Sequence, residues 1–171
     1  MGGTRAVLVK RFERILATHQ ASLRRVSASY TSGGAEREDL LQEICLALWK
    51  ALPGFREECS ERTFVFRIAH NRGLTNVARR RPAAHDLEEA STLADPAGSP
   101  ETLASDDQRR LLLLEAVRAL PMIQRQVVTL SLEGLSHKEI GEVLGISETN
   151  VAVRLSRGKS ALRERLQGAN I

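Results

Sequence analysis

Residues 134–166 constrain this chain more than any other stretch. They describe a short helix, a glycine break and a longer basic helix. Ser136 is placed to cap the first helix, and Glu139 three residues later completes a capping box. Ile140, Val143 and Leu144 form its apolar stripe, and Gly145 suits the left-handed position that ends a helix. Ser147 caps the second helix, with Glu148 at its positive end. Val151, Leu155, Leu162 and Leu166 recur at spacings of four and seven, which buries one face. Thr149, Asn150, Arg154, Arg157, Lys159 and Arg163 occupy the rest of the surface. The pattern predicts a helix-turn-helix whose second helix can enter a DNA major groove. A plain helical hairpin with a solvated basic face fits the same spacing.

The remainder also reads as helix. One helix is predicted from about Arg5 to Tyr30, with Val7, Phe12, Ile15, Leu16, Leu23 and Val26 on one side. Ser32-Gly33-Gly34 breaks it. A second is predicted from near Glu38 to Leu52, with a stripe of Leu41, Cys45, Leu48 and Leu52, and Pro53-Gly54 stops it. A third is predicted from about Thr63 to Arg80, buried through Phe64, Val65, Ile68, Ala69, Leu74, Val77 and Ala78, and ended by Pro82. Between Pro82 and Pro100 the texture turns to Ala, Asp, Glu, Gly, Ser and Pro without a period, which reads as a linker. Beyond it, one helix is predicted around Glu101–Leu120 and another from Met122 to Leu132, with Pro121 suited to its first turn. The expected fold is therefore all-α. Two small helical domains, residues 1–81 and 101–171, are joined by a flexible acidic linker, residues 82–100.

Charge distribution narrows the function. The net charge of +4 is a mild bias, but Arg79-Arg80-Arg81 and the last helix concentrate it, while 82–107 holds acids and no Lys or Arg. On the third helix Arg67, Asn71 and Thr75 share a face at spacings of four, with His70 beside them and Phe64 and Phe66 as the nearby aromatics. Arginine neutralises phosphate, Asn and His reach base edges, and rings stack on unpaired bases. A solvated basic face over core phenylalanines would look the same. On the second helix Asp39, Gln42 and Glu43 make a polar, acidic face near Trp49, the chain's only tryptophan. Such a face repels DNA and suits a basic protein surface, with Trp49 as an apolar anchor, although ordinary soluble helices also look like this.

Other classes find little support. Cys45 and Cys59 form no CxxC pair, and the four histidines show no metal-ligand spacing, so neither metal nor cofactor is expected. Cys45 reads as a small buried hydrophobe. No nucleophile elbow, P-loop or dinucleotide fingerprint is present, so no catalytic residue is assigned. No apolar run approaches the ~20 residues of a membrane span, and Arg11, Glu13 and Arg14 interrupt any signal-peptide core. A cytoplasmic setting is the expectation. A stand-alone repressor or activator would also use the helix-turn-helix but would not need the Asp39–Trp49 face. A small helical enzyme would need convergent polar groups in a pocket.

Taken in order, these segments resemble the compact, two-domain sigma factors of the extracytoplasmic-function group. Asp39 to Trp49, followed by Phe55, resembles the segment that binds the clamp helices of core RNA polymerase. Phe64 to Asn71 with the Arg79-Arg80-Arg81 run resembles the segment that melts and reads the minus-ten element. Leu120-Pro121, Arg125, Val128, Leu130 and the helix-turn-helix resemble the domain that reads the minus-thirty-five element. The resemblance implies that Asp39, Gln42, Glu43 and Trp49 contact polymerase. It implies that Phe64, Arg67, His70, Asn71, Thr75, Arg79 and Arg80 lie near the non-template strand of the minus-ten element. It places Thr149, Asn150, Val153, Arg154, Arg157 and Lys159 at the minus-thirty-five duplex. It further implies partners: core polymerase through its clamp helices and flap, promoter DNA both duplex and single-stranded, and an anti-sigma factor. Phe64 stands where a tryptophan is usual, Thr75 where Asp is frequent, and Ala152 and Val153 where Lys and Ser are common. Val153 would then make apolar contact with a thymine methyl.

Overall fold

The structure is a computed structural model and describes residues 2–80 and 105–168, with side chains from 5 to 80 and from 107 to 168. Helices are the only regular structure among these residues. The first lobe is a bundle of α1 (Gly2–Tyr30), α2 (Gly34–Ala51) and α3 (Glu61–Arg80), each packed on the other two. Ile15, Leu23 and Val26 of α1, Leu40, Ile44 and Leu48 of α2, and Val65, Phe66 and Ala69 of α3 fill its core. A single 3-10 turn, Leu52–Gly54, follows α2, because Pro53 fits the start of such a turn but cannot continue the helix hydrogen bonds.

Two differences from the sequence reading have local causes. First, α2 starts a turn earlier than its apolar pattern, since the Glu36 carboxylate accepts the Ser32 backbone N–H at 3.0 Å and stabilises the helix entry. Second, the stripes are rotated. Ile44 lies in the core and Cys45 is only half-buried, and α3 buries Thr63, Phe66, His70 and Gly73, while Ala78 is exposed. On α3 the difference arises because the helix is covered from two sides, by its own bundle and by α6 of the chain's second half.

That second lobe consists of α4 (Ser105–Arg118), α5 (Met122–Leu132), α6 (His137–Leu144) and α7 (Glu148–Gly168) around Val117, Leu120, Val127, Leu130, Ile140, Val143, Val151 and Leu155. The half-buried Arg125 guanidinium donates to the carbonyls of Leu120 (3.1 Å) and Arg118, holding the α4–α5 corner. The lobes are not independent. α6 packs on α3, and α4 and α5 pack on α1, so one apolar cluster runs through both. The expected linker lies outside the described residues.

Candidate nucleic-acid interface

The helix-turn-helix is built as its sequence implies. The Ser136 hydroxyl accepts the Glu139 N–H at 3.2 Å, and the Glu139 carboxylate accepts the Ser136 N–H at 2.8 Å. That pairing, together with the Ser136 hydroxyl donor, holds the Glu139 carboxyl below its usual range. Gly145 ends α6 at φ 69°, a left-handed conformation that L side chains avoid. The turn is also tight at Gly141, where a Cβ would stand 2.7 Å from the Ile146 carbonyl oxygen. Ser147 accepts the Asn150 N–H at 3.2 Å and opens α7. Gly158, unfavourable in a helix on propensity alone, sits where α7 crosses α5. A Cβ there would stand 2.6 Å from Val128 Cγ2. The crossing sets the approach of the recognition helix, and the sequence did not disclose it, because Val128 is thirty residues away.

α7 then presents two contrasting faces. Val151, Leu155 and Leu162 are buried against the lobe, while Thr149, Asn150, Val153, Arg157, Lys159 and Arg163 are exposed. Arg154 is half-buried, and its Nε donates to Asn150 Oδ1 at 2.8 Å, so the two side chains on successive turns are held as a unit. An exposed amide, guanidinium groups and a methyl-bearing Val153 on one face of a rigidly mounted helix match what a major groove offers.

On α3 the candidate residues do not share one fate. Asn71 and Thr75 are exposed side by side, the Thr75 hydroxyl turned back to the Asn71 carbonyl at 2.9 Å. Phe64 is half-buried and stacks on Phe55 with ring centroids 4.3 Å apart. Arg67 donates to the Glu142 carbonyl of α6 at 2.8 Å. Arg79 and Arg80 lie against α2, in ion pairs with Glu43 (2.9 Å) and Glu36 (2.7 Å). His70 lies in the core, 3% exposed, with Nδ1 2.7 Å from the Tyr30 hydroxyl. That placement withdraws its ring from any strand passing over Asn71. A buried Tyr and His forty residues apart leave no mark in a local pattern.

The α2 face carries Asp39 and Gln42 in the open, with Leu46 53% exposed beside them. Glu43 is half-buried and committed to Arg79. Trp49 is half-buried too, edge-on to Phe12 at 5.2 Å. Among the described residues no helix is long and apolar enough to cross a membrane.

Comparison with known proteins follows the two-lobe division. The model of "Sigma-70 region 2" matches residues 15–83, and that of "Sigma-70, region 4" matches residues 110–162. Similar curated proteins include the RNA polymerase sigma factor NccH of Alcaligenes xylosoxydans xylosoxydans. It is 26% identical over 167 residues, 94% of this chain and 89% of that protein. The ECF RNA polymerase sigma-E factor of Escherichia coli is 25% identical over 168 residues, 92% of this chain and 87% of that protein. Among solved structures, CnrH in complex with the cytosolic domain of CnrY shares the fold at a TM-score of 0.69 and 24% identity, covering 98% of this chain and 91% of that one. RpoE from Bartonella quintana, crystallised with the anti-sigma factor NepR, gives a TM-score of 0.69 at 21% identity, covering 92% of this chain and 98% of that one. A chain whose first bundle matches region 2 and whose second matches region 4 belongs to the sigma-70 family, and its relatives place it with the extracytoplasmic-function sigma factors, which direct RNA polymerase to particular promoters.

Proposed function

We propose that three exposed faces divide the work of initiation. The outer face of α7, with Thr149, Asn150, Val153, Arg154 and Arg157, reads the minus-thirty-five duplex, with Lys159 on nearby phosphates. Asn71, Thr75 and Arg67 on α3 hold the unpaired non-template strand of the minus-ten element, and Phe64 supports them from its stack on Phe55. Asp39 and Gln42, with Leu46 beside them and Trp49 below, dock α2 on core polymerase. Arg79 and Arg80 form the basic margin between the second and third faces. His70 supports α3 from inside. Capturing unpaired bases ties binding energy to the melted duplex, so the same contacts that recognise the element favour its opening. The protein acts in the cytoplasm with polymerase and performs no chemistry of its own. An anti-sigma factor holds it inactive, as the partners named for the CnrH and RpoE structures suggest.

One observation carries this reading: Thr149, Asn150, Val153 and Arg157 are all exposed on α7, while its opposite side is sealed into the lobe. Run-off transcription with purified core polymerase on a genomic fragment library tests it. Discrete transcripts that require the protein are expected, with permanganate-reactive thymines at their minus-ten regions. Transcription that is indifferent to the protein would refute the assignment, and duplex binding without polymerase-dependent initiation would favour a stand-alone regulator.

A further inference from the structure

The loop that joins α2 to α3 is held by one side chain of α1. The Arg11 guanidinium donates from Nη2 to the Glu57 carboxylate at 3.1 Å and from Nε to the Glu61 carboxylate at 3.4 Å. Arg14, on the next turn of α1, donates to the same Glu61 oxygen at 2.7 Å. Arg11 also lies over the Phe55 ring, 5.1 Å from its centroid. Phe55 in turn stacks on Phe64, their planes 24° apart. Each contact is modest by itself, because ion pairs near water are screened and cost side-chain freedom. Their convergence on one guanidinium is what fixes the loop. Arg11 touches its start at Phe55, its middle at Glu57 and the first turn of α3 at Glu61.

The loop needs such a hold. Glu57 has φ 61°, the only left-handed non-glycine residue among those described. An L side chain is strained in that region and stays there only where its surroundings impose it. The Glu57 side chain is 73% exposed, so packing does not hold it, whereas the ion pair to Arg11 does. Phe55 also changes sides. The sequence groups it with the polymerase-docking segment of α2, yet its ring partner is Phe64 of α3, on the strand-capturing face.

We propose that Arg11, Phe55 and Phe64 form one stacked column, cation on ring on ring, and that Arg11 is a positioning residue for the strand-capturing face although it stands on α1, outside the residues expected to meet DNA. This rests on the assignment of α3 to the minus-ten strand. Phe55 covers one face of Phe64, so an unpaired base can stack only on what remains open of that ring, which is half-exposed. Stacking on an aromatic ring supplies binding energy for any base, and more of it survives when the ring is ordered beforehand. Arg11 does that ordering twice over. It lies on the back of Phe55 and fixes the backbone on either side of the loop, so the column stands before DNA arrives.

The test uses the whole chain assembled with core polymerase, on forked promoter DNA carrying the fluorescent base 2-aminopurine in turn at each non-template position of the minus-ten element. A base that stacks on a ring loses its emission. In the wild type one position should be quenched, and Phe64→Leu should restore its light. Arg11→Ala and Phe55→Leu should each restore much of the emission at that same position alone and slow opening about 3- to 10-fold. Capture of core polymerase and helicity by circular dichroism should stay as in the wild type. Arg11→Lys keeps a charge over Phe55 but cannot reach Glu57 and Glu61 together, so it should fall between the two. Wild-type quenching and opening in both Arg11→Ala and Phe55→Leu overturn the column, as does a loss spread evenly over all positions, which would mark a general loosening of the first lobe. If no position is quenched while Asn71→Ala still slows opening, the column falls and the reading of α3 stands. Opening that is indifferent to Asn71→Ala as well sinks that reading, and the column with it.

Discussion

His70 illustrates how one side chain can look like a ligand in a sequence and serve as a brace in the fold. Burial pushes its pKa down to about 4 and pushes that of Tyr30 well above its ordinary value, so at neutral pH a protonated phenol and a neutral imidazole share the hydrogen bond between the Tyr30 hydroxyl and Nδ1. Gly73 makes the room: a Cβ there would stand 2.4 Å from Tyr30 Cδ2. The pair predicts an acid sensitivity. An unfolded histidine takes up its proton near 6.5, whereas the folded one resists until about 4. The unfolded state therefore binds more protons through that interval, and stability falls as the pH drops across it, by about 3 kcal/mol at most. Below about 4 this group causes no further loss. Urea midpoints of wild type and His70→Gln, compared at pH 7 and 4.5, should show the variant's deficit shrinking in acid. A gap of constant size would mean that His70 is not buried in its neutral form.

For single helices, apolar spacing was a good guide wherever one neighbour covers one face. The α6–α7 pair, its capping box and its left-handed glycine stand as their residues imply, because caps and tight turns are made within a few residues. α3 was less legible. Its spacing predicts a stripe of Phe64, Val65, Ile68, Ala69, Leu74, Val77 and Ala78, yet Ala78 is exposed and Thr63, Phe66 and His70 are buried, since α6 and α1 cover a second flank. On α7 the basic face should act through phosphates. Arg157→Ala is expected to weaken duplex binding broadly across sequences, and to lower the slope of log affinity against log salt by about 1. Fluorescence anisotropy titrations of a minus-thirty-five duplex at four salt concentrations check this, and a parallel pair of lines would remove Arg157 from the phosphate contacts.

At the scale of the whole molecule, the proposed function needs both lobes on one promoter. Under the proposed function, each DNA contact would be weak alone, and polymerase would make them effective by holding both near one promoter, which raises the local concentration of the second contact. The 24 residues between Arg80 and Ser105 are long enough for this, with a reach of up to about 80 Å. Docking on polymerase is then the step on which everything else depends. Asp39→Lys reverses charge on the open α2 face and should cost about tenfold in affinity for core polymerase, chiefly through slower association. Binding of a minus-thirty-five duplex by the free variant should be unchanged. Normal capture by polymerase would move the docking surface elsewhere on the first lobe.

The helices, their breaks, the two-lobe division and the exposed faces of α2 and α7 follow from interactions between residues a few positions apart, and such interactions are written in order along the chain. The placement of one lobe on the other does not. Arg25 meets Glu133 across 108 positions, Arg67 meets Glu142 across 75, and Tyr30 meets His70 across 40. Local spacing carries no information about partners that far apart, so only folding in three dimensions shows which arginines are free for DNA and which are held by the protein itself.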